Sequence, residues 1–388
     1  MINKIKNIFN NKYEIYDNVV YFRNNFNEEI DTKLRNKLSK YDKIVFMNTK
    51  SYELYKYYNF NNYVYIIHPE CKNIFNKSTD NFPITIKQIK FGYSFNQPVE
   101  RLPPLLENLK FCYEFNQYVN NLPPLLLSLE FGDNFNKPVN NLPYLLQNLK
   151  FGLYFNQSVD KLPIFISNII FESLSYSNII INKLPEHINT LEFSCSLPNE
   201  QIKKIPKMLK KLIFSNKTSL SYEINLHENL EYLEIHGLSI NELNFDYNCR
   251  LNNLILHSYN HKLTYLPESI KILKLTLCCN NVNLLNNLPN SIEELELFDV
   301  CGFAPNFELN NILDNLPNSI KKLNLKKTKI QIILNNLPNS IEHLSLPINY
   351  DLDIDKLSKN IIIIECNKKY KFIKKIKKNK KIKIIFYD

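Results

Sequence analysis

Apolar residues recur along this chain in blocks that repeat about every 20 residues. Pairs of phenylalanine and asparagine begin at Phe95, Phe115, Phe135 and Phe155, a constant step of 20 residues. Between the pairs stands a second block of leucines and prolines, as in 102–111, which ends in an apolar–polar–apolar triplet. Such self-similarity is typical of repeat proteins, in which each repeat is one structural unit.

The first apolar residue of the triplet follows a longer series. Its steps run from 19 to 28 residues, and its positions are Ile89, Leu109, Leu129, Leu149, Ile169, Leu191, Leu212, Leu233, Leu254, Leu273, Leu295, Leu323, Leu344 and Ile364. Downstream, 384–386 continues the step of 20. Upstream, 20–22, 44–46 and 64–66 have the same character, and Phe26-Asn27 repeats the spacing of Phe115-Asn116. We therefore expect degenerate repeats from the beginning of the chain.

Each repeat predicts one strand and one return segment. The triplet Leu109-Lys110-Phe111 alternates with the two-residue period of a short strand that buries one face. Proline at 103, 123, 143 and 163 favours an extended or 3₁₀ return. Because ordering 20 residues costs about 1–2 kcal/mol each, one repeat cannot fold alone and must stack on its neighbours. The sequence thus predicts a β-rich solenoid, a right-handed coil of about 14–18 units with one continuous parallel sheet.

The repeat register also assigns residues to the interior and to the surface. We interpret Phe95, Phe115, Phe135 and Phe155, with Asn96, Asn116, Asn136 and Asn156, as a structural ladder; a polar binding row is the alternative. The outward strand positions predict a concave face of mixed charge, a candidate surface for a protein partner. They are Lys90, Lys110, Glu130, Lys150, Glu192, Glu234, Lys274 and Glu296, flanked by His236, His257 and Phe298.

The net charge of +10 lies in one segment. Residues 368–383 hold ten lysines and no acidic residue, and the rest of the chain has 38 basic and 38 acidic residues. As part of a capping unit, these lysines would form a polar outer face that blocks end-to-end stacking. Alternatively, they contact nucleic acid, act as a nuclear signal or touch anionic lipid. The candidate contacts are Lys374, Lys375, Lys377, Lys378, Lys380 and Lys381.

The sequence contains no recognisable catalytic or cofactor motif. Five glycines form neither a dinucleotide nor a P-loop fingerprint, and the histidines and cysteines show no zinc-ligand spacing. His257 and His261 are four residues apart, but the register predicts a strand end and a turn there rather than one helix face. Residues 351–355 resemble a calcium loop only superficially, because its glycine and final glutamate are missing. We expect no enzymatic activity, no cofactor and no metal.

The sequence also bears on location. It shows no signal peptide, no run of 18 apolar residues and no C-x-x-C among eight cysteines. We therefore expect no membrane span, free thiols and an intracellular, cytoplasmic monomer.

The motif Leu-Pro-x-x-Leu-x-x-Leu-x-Phe-Gly-x-x-Phe-Asn-x-Pro-Val resembles the FNIP repeat, a relative of leucine-rich repeats, although Gln or Lys replaces its isoleucine. The resemblance implies a leucine-rich-repeat-like fold and an amoebal or giant-virus origin. Some relatives carry an amino-terminal F-box, but 1–80 shows no Leu-Pro-x-Glu-Ile motif. The predicted regions are an amino-terminal cap or degenerate repeats (1–80), regular repeats (81–172), divergent leucine-rich repeats (173–366) and a Lys-rich final unit (367–388).

Two functions remain open at this point. The first is a non-catalytic repeat scaffold that binds an unidentified protein through its concave sheet, possibly as an adaptor. The alternative is a nucleic-acid-associated protein that binds through the Lys-rich segment.

Overall fold

A computed structural model gives the arrangement of the chain. The residues that it describes are 12–46, 73–172, 183–194, 204–215, 223–236, 242–245, 248–257, 265–277, 282–299, 313–331, 333–334, 336–354 and 357–387. The chain divides into two compact units, 1–206 and 207–388. Both are β-solenoids, as the repeat spacing predicted.

The first unit contains nine described strands and one helix. They are β1 (Tyr13–Tyr16), β2 (Val19–Phe22), α1 (Thr32–Leu38), β3 (Lys43–Val45), β4 (Gln88–Lys90), β5 (Asn108–Lys110), β6 (Ser128–Glu130), β7 (Asn148–Phe151), β8 (Asn168–Phe171) and β9 (Thr190–Phe193). Strands β2 to β9 pair in parallel, each with the strand that follows. Strand β1 turns back through Asp17 and Asn18, both with positive φ, and pairs with β2 in antiparallel fashion. The first strand therefore covers the free edge of β2.

Equivalent positions of successive repeats stand opposite one another. Ile89 is paired with Leu109, Leu109 with Leu129, and so on to Leu191. These residues are at most 2% exposed, whereas the next residue of each triplet is half-buried on the other face. The predicted register is therefore confirmed in this unit, because a slip of one residue would turn every leucine outward.

Two rows of phenylalanine fill the interior of the first unit. One row follows the strands and includes Phe111 and Phe131; the other follows the corner and includes Phe115 and Phe135. Within a coil the rings of Phe111 and Phe115 stack at 3.6 Å, and between coils the distance from Phe115 to Phe135 is 6.0 Å. All four rings are at most 2% exposed. The corner residues thus join each coil to the next.

Asparagine side chains tie the corners of neighbouring coils together. The Oδ1 atom of Asn96 accepts the backbone N–H of Asn116 at 2.9 Å, and Asn116 accepts that of Asn136 at 3.0 Å. The series begins earlier, since Asn27 accepts from Asn76 and Asn76 from Asn96, both at 2.9 Å. It ends with the bond from Asn156 to Asn136 at 3.1 Å. These bonds supply acceptors for backbone donors that the short strands leave unpaired.

One coil of the first unit is longer than the sequence pattern predicted. Ile44 is paired directly with Ile89, 45 residues later instead of 20. The chain returns to the register at Phe75, whose ring stacks on Phe46 at 4.2 Å and on Phe95 at 6.0 Å. The expected strand at 64–66 therefore does not separate β3 from β4, and 64–66 itself lies outside the described residues.

Buried Asn73 secures this return. Its Nδ2 atom donates to the carbonyl of Arg23 at 2.6 Å, and its Oδ1 atom accepts the N–H of Phe75 at 2.8 Å. A Cβ atom at Gly92 would stand 2.4 Å from the Cβ of Asn73. At the same repeat position, a Cβ at Gly132 would stand 1.8 Å from the carbonyl oxygen of Cys112. The glycine of the repeat thus permits close approach of neighbouring coils.

The second unit is less regular. It contains β10 (Lys211–Phe214), β11 (Glu223–Leu226), β12 (Tyr232–His236), β13 (Glu242–Phe245), β14 (Asn253–His257), β15 (Ile272–Leu277), a 3₁₀ helix (Val282–Asn287), β16 (Glu294–Asp299), β17 (Lys322–Lys327), β18 (His343–Ser345), β19 (Ile363–Asn367), α2 (Ile373–Ile376) and β20 (Lys383–Tyr387). Nine of these strands form a parallel sheet, and β11 and β13 form a second, two-stranded sheet. The two-stranded sheet was not predicted, because it uses residues outside the repeated triplet.

The Lys-rich segment forms the last described coil. Strand β20 continues the register, with Ile384 opposite Ile364 and Phe386 opposite Cys366. The hydroxyl of Tyr387 donates to the carbonyl of Leu346, and the ammonium of Lys326 stands 4.2 Å from the centre of the Tyr387 ring. The segment is therefore folded onto the second unit, with its lysines on the outside.

Two further expectations concern thiols and membranes. Cys249 and Cys366 are free and buried, but Cys112 is disulfide-bonded, so the expectation of free thiols is wrong for that residue. In the part of the chain that the structure describes, no helix has the length and apolar composition needed to cross a bilayer.

Candidate functional site

The outward sheet face of the first unit is a ladder of alternating charges. Strand pairing brings Lys110, Glu130 and Lys150 side by side, in the order that the sequence predicted. Glu130 forms ion pairs with Lys110 and, at 3.3 Å, with Lys150, which also contacts Glu172 at 2.8 Å. Lys90 and Glu192 occupy the same row at its two ends.

These ion pairs are partly shielded from water. Burial opposes ionisation of Glu130, yet the charges of Lys110 and Lys150 lower its pKa below the usual value. Burial likewise opposes the charge of Lys150, and Glu172 and Glu130 nevertheless raise its pKa. Each carboxylate and ammonium group therefore stays charged because its neighbours neutralise it.

In the second unit, the outward face brings a carboxylate and two imidazoles together. Glu234 and His236 project from the same face of β12, two residues apart, and His257 stands opposite His236 on β14. The Oε1 atom of Glu234 is 2.6 Å from Nε2 of His236 and 3.8 Å from Nε2 of His257. The two imidazole rings stack with centroids 4.1 Å apart. One ligand atom from each residue lies within 4.8 Å of the other two.

The protonation of this cluster follows from its contacts. A hydrogen bond from His236, together with one from the Tyr232 hydroxyl at 2.5 Å, lowers the pKa of Glu234 to about 2. Burial, and then the neighbouring His236, lowers the pKa of His257 to about 4. At neutral pH the cluster therefore holds a carboxylate and a neutral His257 imidazole.

The remaining predicted residues of this face lie beside the cluster. Glu296 contacts Lys274 at 3.0 Å and Lys327 at 3.7 Å. Phe298 was predicted to flank an accessible surface, but it is only 6% exposed, because the Lys327 ammonium covers its ring at 4.7 Å and the His257 ring stands 4.8 Å away. Phe298 is therefore a wall of the histidine cluster and offers little surface to a partner.

A second surface of the first unit was not predicted. The return segments expose large apolar side chains in corresponding positions of five coils, each between 40% and 59% exposed. We call this set the return-face stripe; it consists of Ile84, Leu105, Leu125, Tyr144, Leu145, Ile164 and Phe165. The return segments 102–106, 122–126, 142–146 and 162–166 contain no charged residue. A visible signal was the doubled apolar pair after each proline, of which only one residue turns inward, such as buried Leu106 beside exposed Leu105.

The candidate lysines of the final coil are all exposed. Lys374 and Lys375 lie in the short helix α2, and Lys377, Lys378, Lys380 and Lys381 follow it. Lys375 forms an ion pair with Asp353, and Lys371 contacts Asp351 at 3.2 Å. Residues 351–353, which superficially resembled a calcium loop, thus provide partners for lysines of the final coil.

The histidine cluster was missed because its ligands come from two coils. His261, which the sequence analysis compared with His257, lies outside the described residues. The informative signal was the step of 21 residues between His236 and His257, equal to the local repeat, combined with Glu234 two residues before His236. Together these spacings place three possible ligands on one face of two adjacent strands.

Comparisons with known proteins agree with this architecture. The FNIP Repeat family model matches residues 75–114. No curated protein sequence matches the chain. Among solved structures, the chain is similar to CroV588, described as a novel circular LRR protein, with 24% identity and a TM-score of 0.46, over 92% of this chain and 68% of that one.

Two bacterial structures are also similar. YopM from Yersinia enterocolitica WA-314 has 16% identity and a TM-score of 0.29, with coverage of 79% of each chain. A leucine-rich repeat protein from Bacteroides ovatus ATCC 8483 has 13% identity and a TM-score of 0.23, with 79% and 82% covered. The chain thus carries a FNIP repeat at residues 75–114 within a β-solenoid that resembles leucine-rich-repeat proteins.

Proposed function

We propose that this protein is a non-catalytic scaffold that binds another protein through the return-face stripe of its first unit. The observation that carries the proposal is the exposure of seven large apolar side chains on five neighbouring coils. Soluble proteins seldom expose contiguous apolar surface on this scale unless it contacts a partner.

The chemistry of the stripe favours a protein partner. Because the return segments carry no charge, they offer nothing to a phosphate backbone, which basic side chains would have to neutralise. The exposed residues stand on a backbone held by buried Phe115 and Phe135 and by the asparagine ladder. Such a surface is ordered before binding, so little conformational entropy is lost when an apolar partner docks.

The outward sheet face remains a second candidate surface for the same function. Its charges are already paired within the chain, as in the contacts of Glu130 with Lys110 and Lys150. A partner would have to exchange those contacts for its own, and exposed ion pairs contribute only about 0.2–1 kcal/mol each. The sheet face is therefore the weaker of the two surfaces.

The double variant Leu105→Ser/Leu145→Ser tests the proposal. We expect it to bind the partner at least about tenfold more weakly, because two apolar contacts of the stripe are lost. Both side chains are at least 40% exposed, so the melting temperature should stay close to that of the wild-type protein. The measurement is quantitative capture of proteins from a cell lysate on immobilised wild-type and variant chains, followed by titration of the captured protein.

A sheet-face variant, Lys110→Gln/Lys150→Gln, serves as the matched control and should retain the captured protein. Retention by the stripe variant together with loss from the sheet-face variant would move the site to the sheet face. Equal retention by both variants would contradict both surfaces. An adaptor in protein degradation would additionally recover components of a ubiquitin ligase.

The alternative function, contact with nucleic acid or anionic lipid, has its own support. Lys374, Lys377 and Lys378 are exposed and close in sequence, without an acidic residue between 368 and 383. Capture with and without nuclease at two salt concentrations separates the two functions, because contacts with phosphate weaken steeply as salt rises. Recovery of nucleic-acid-dependent material only would reject the protein scaffold.

A further inference from the structure

We propose that Glu234, His236 and His257 form a binding site for a divalent transition-metal ion of the zinc class. The inference is independent of the partner surface proposed above, because the three residues lie on the sheet face of the second unit. It stands on the position of the ligand atoms, on the contact that orients the carboxylate and on the pairing of the neighbouring cations.

The donor set suits such an ion. Two imidazoles and one carboxylate are a common set of protein ligands for Zn²⁺, and three protein ligands leave coordination positions open. Softer thiolate ligands are absent from the cluster, and Mg²⁺ or Ca²⁺ would require mostly oxygen ligands. The set therefore selects an ion of intermediate softness.

The distances require only small side-chain movements. Tetrahedral bonds of about 2.0–2.1 Å place ligand atoms about 3.4 Å apart. The Oε1 atom of Glu234 is already 2.6 Å and 3.8 Å from the two imidazole nitrogens, and all three ligand atoms lie within 4.8 Å of one another. Rotation of exposed imidazole rings can supply the remaining adjustment, because the side chains of His236 and His257 are 34% and 27% exposed.

The neighbouring groups leave this carboxylate available. Among the described residues, Glu234 forms ion pairs only with the two histidines. The nearest lysines, Lys274 and Lys327, contact Glu296 instead. The Tyr232 hydroxyl donates to Oε2 of Glu234, the oxygen that does not face the imidazoles. This contact orients Oε1 toward the imidazoles, as the outer-shell partners of metal ligands do.

A bound ion would also link two coils. His236 and His257 belong to neighbouring strands, so a metal bound to both adds a cross-link to the parallel pair β12–β14. Binding to the folded state alone raises its stability by RT ln(1 + [L]/Kd). Metal binding should therefore raise the thermal stability of the protein.

The test is calorimetric titration of the full chain, freed of metal by a chelator, with Zn²⁺, together with Co²⁺ as a spectroscopic probe. We expect saturable binding of one ion at this site and a visible Co²⁺ spectrum with imidazole ligands. His257→Ala and Glu234→Gln should weaken the affinity at least about 100-fold, and Tyr232→Phe about tenfold through the lost orientation of the carboxylate.

His343→Gln is the matched control. His343 contacts Glu365 at 2.9 Å on the sheet face of the same unit, but only two possible ligands meet there. This variant should bind Zn²⁺ like the wild-type chain. The proposal is overturned if the wild-type chain shows no saturable binding, or if folded His257→Ala, checked by circular dichroism, binds with unchanged affinity.

Discussion

Replacing Phe115 by alanine is expected to lower the free energy of unfolding of the first unit by about 3–5 kcal/mol. The ring is fully buried, stacks on Phe111 at 3.6 Å within its coil and contacts Phe95 and Phe135 in the coils on either side. Alanine would leave a cavity bounded by short strands whose leucines are held in register, so the surrounding residues can collapse only partly. The loss should therefore reach both neighbouring coils.

Hydrogen exchange followed by mass spectrometry is the suitable measurement, because it reports each coil separately. Protection should fall most between about residues 91 and 139 in Phe115→Ala, where the neighbouring coils contact the missing ring. Tyr118→Ala, three residues away and 62% exposed, should change stability by no more than about 0.5 kcal/mol. Similar effects of the two variants would show that the phenylalanine rows do not hold the unit together.

The second large effect is expected for Asn96→Leu, which should cost about 1–3 kcal/mol. The Oδ1 atom of Asn96 accepts two hydrogen bonds, from the backbone N–H of Asn116 at 2.9 Å and from Nε2 of Gln117 at 3.0 Å. Leucine has a similar size but provides no acceptor, so the Asn116 N–H would lose its partner at a half-buried corner. Chemical denaturation with a probe in the first unit measures the loss.

Asn96→Asp separates the acceptor from the rest of the side chain. A carboxylate oxygen can accept both bonds at the same place, so the aspartate variant should lose clearly less stability than the leucine variant. Equal losses in both variants would mean that the Asn96 amide contributes in another way, and the ladder would then not be the reason for the repeated asparagine. The binding-row interpretation would in that case deserve a direct test.

Much of the fold was accessible from the sequence for a simple physical reason. A parallel sheet of stacked coils places identical offsets opposite one another, so a constant step between Leu109, Leu129 and Leu149 already defines their pairing. The alternation within each triplet then separates buried from outward positions. For this reason the order Lys110, Glu130, Lys150 on the outward face was predictable before any coordinates.

Departures from the fixed step were less accessible. The pairing of Ile44 with Ile89 and the return to register at Phe75 interrupt the spacing, and Phe75-Asn76 does stand 20 residues before Phe95-Asn96. The accompanying strand signal at 64–66 pointed to a different continuation. A local pattern cannot reveal which of two candidate strands pairs, since pairing depends on contacts between residues distant in sequence.

The sequence by itself determined the repeat, the strand register and the side of each strand that is buried, because these follow from periodicity alone. Only the tertiary structure decided which outward groups meet: Glu234, His236 and His257 converge, Phe298 is covered, and Leu105 and Leu145 are left exposed. The physical reason is that spacing fixes the direction of a side chain, whereas its neighbours on the next coil decide its distances, its burial and its charge state.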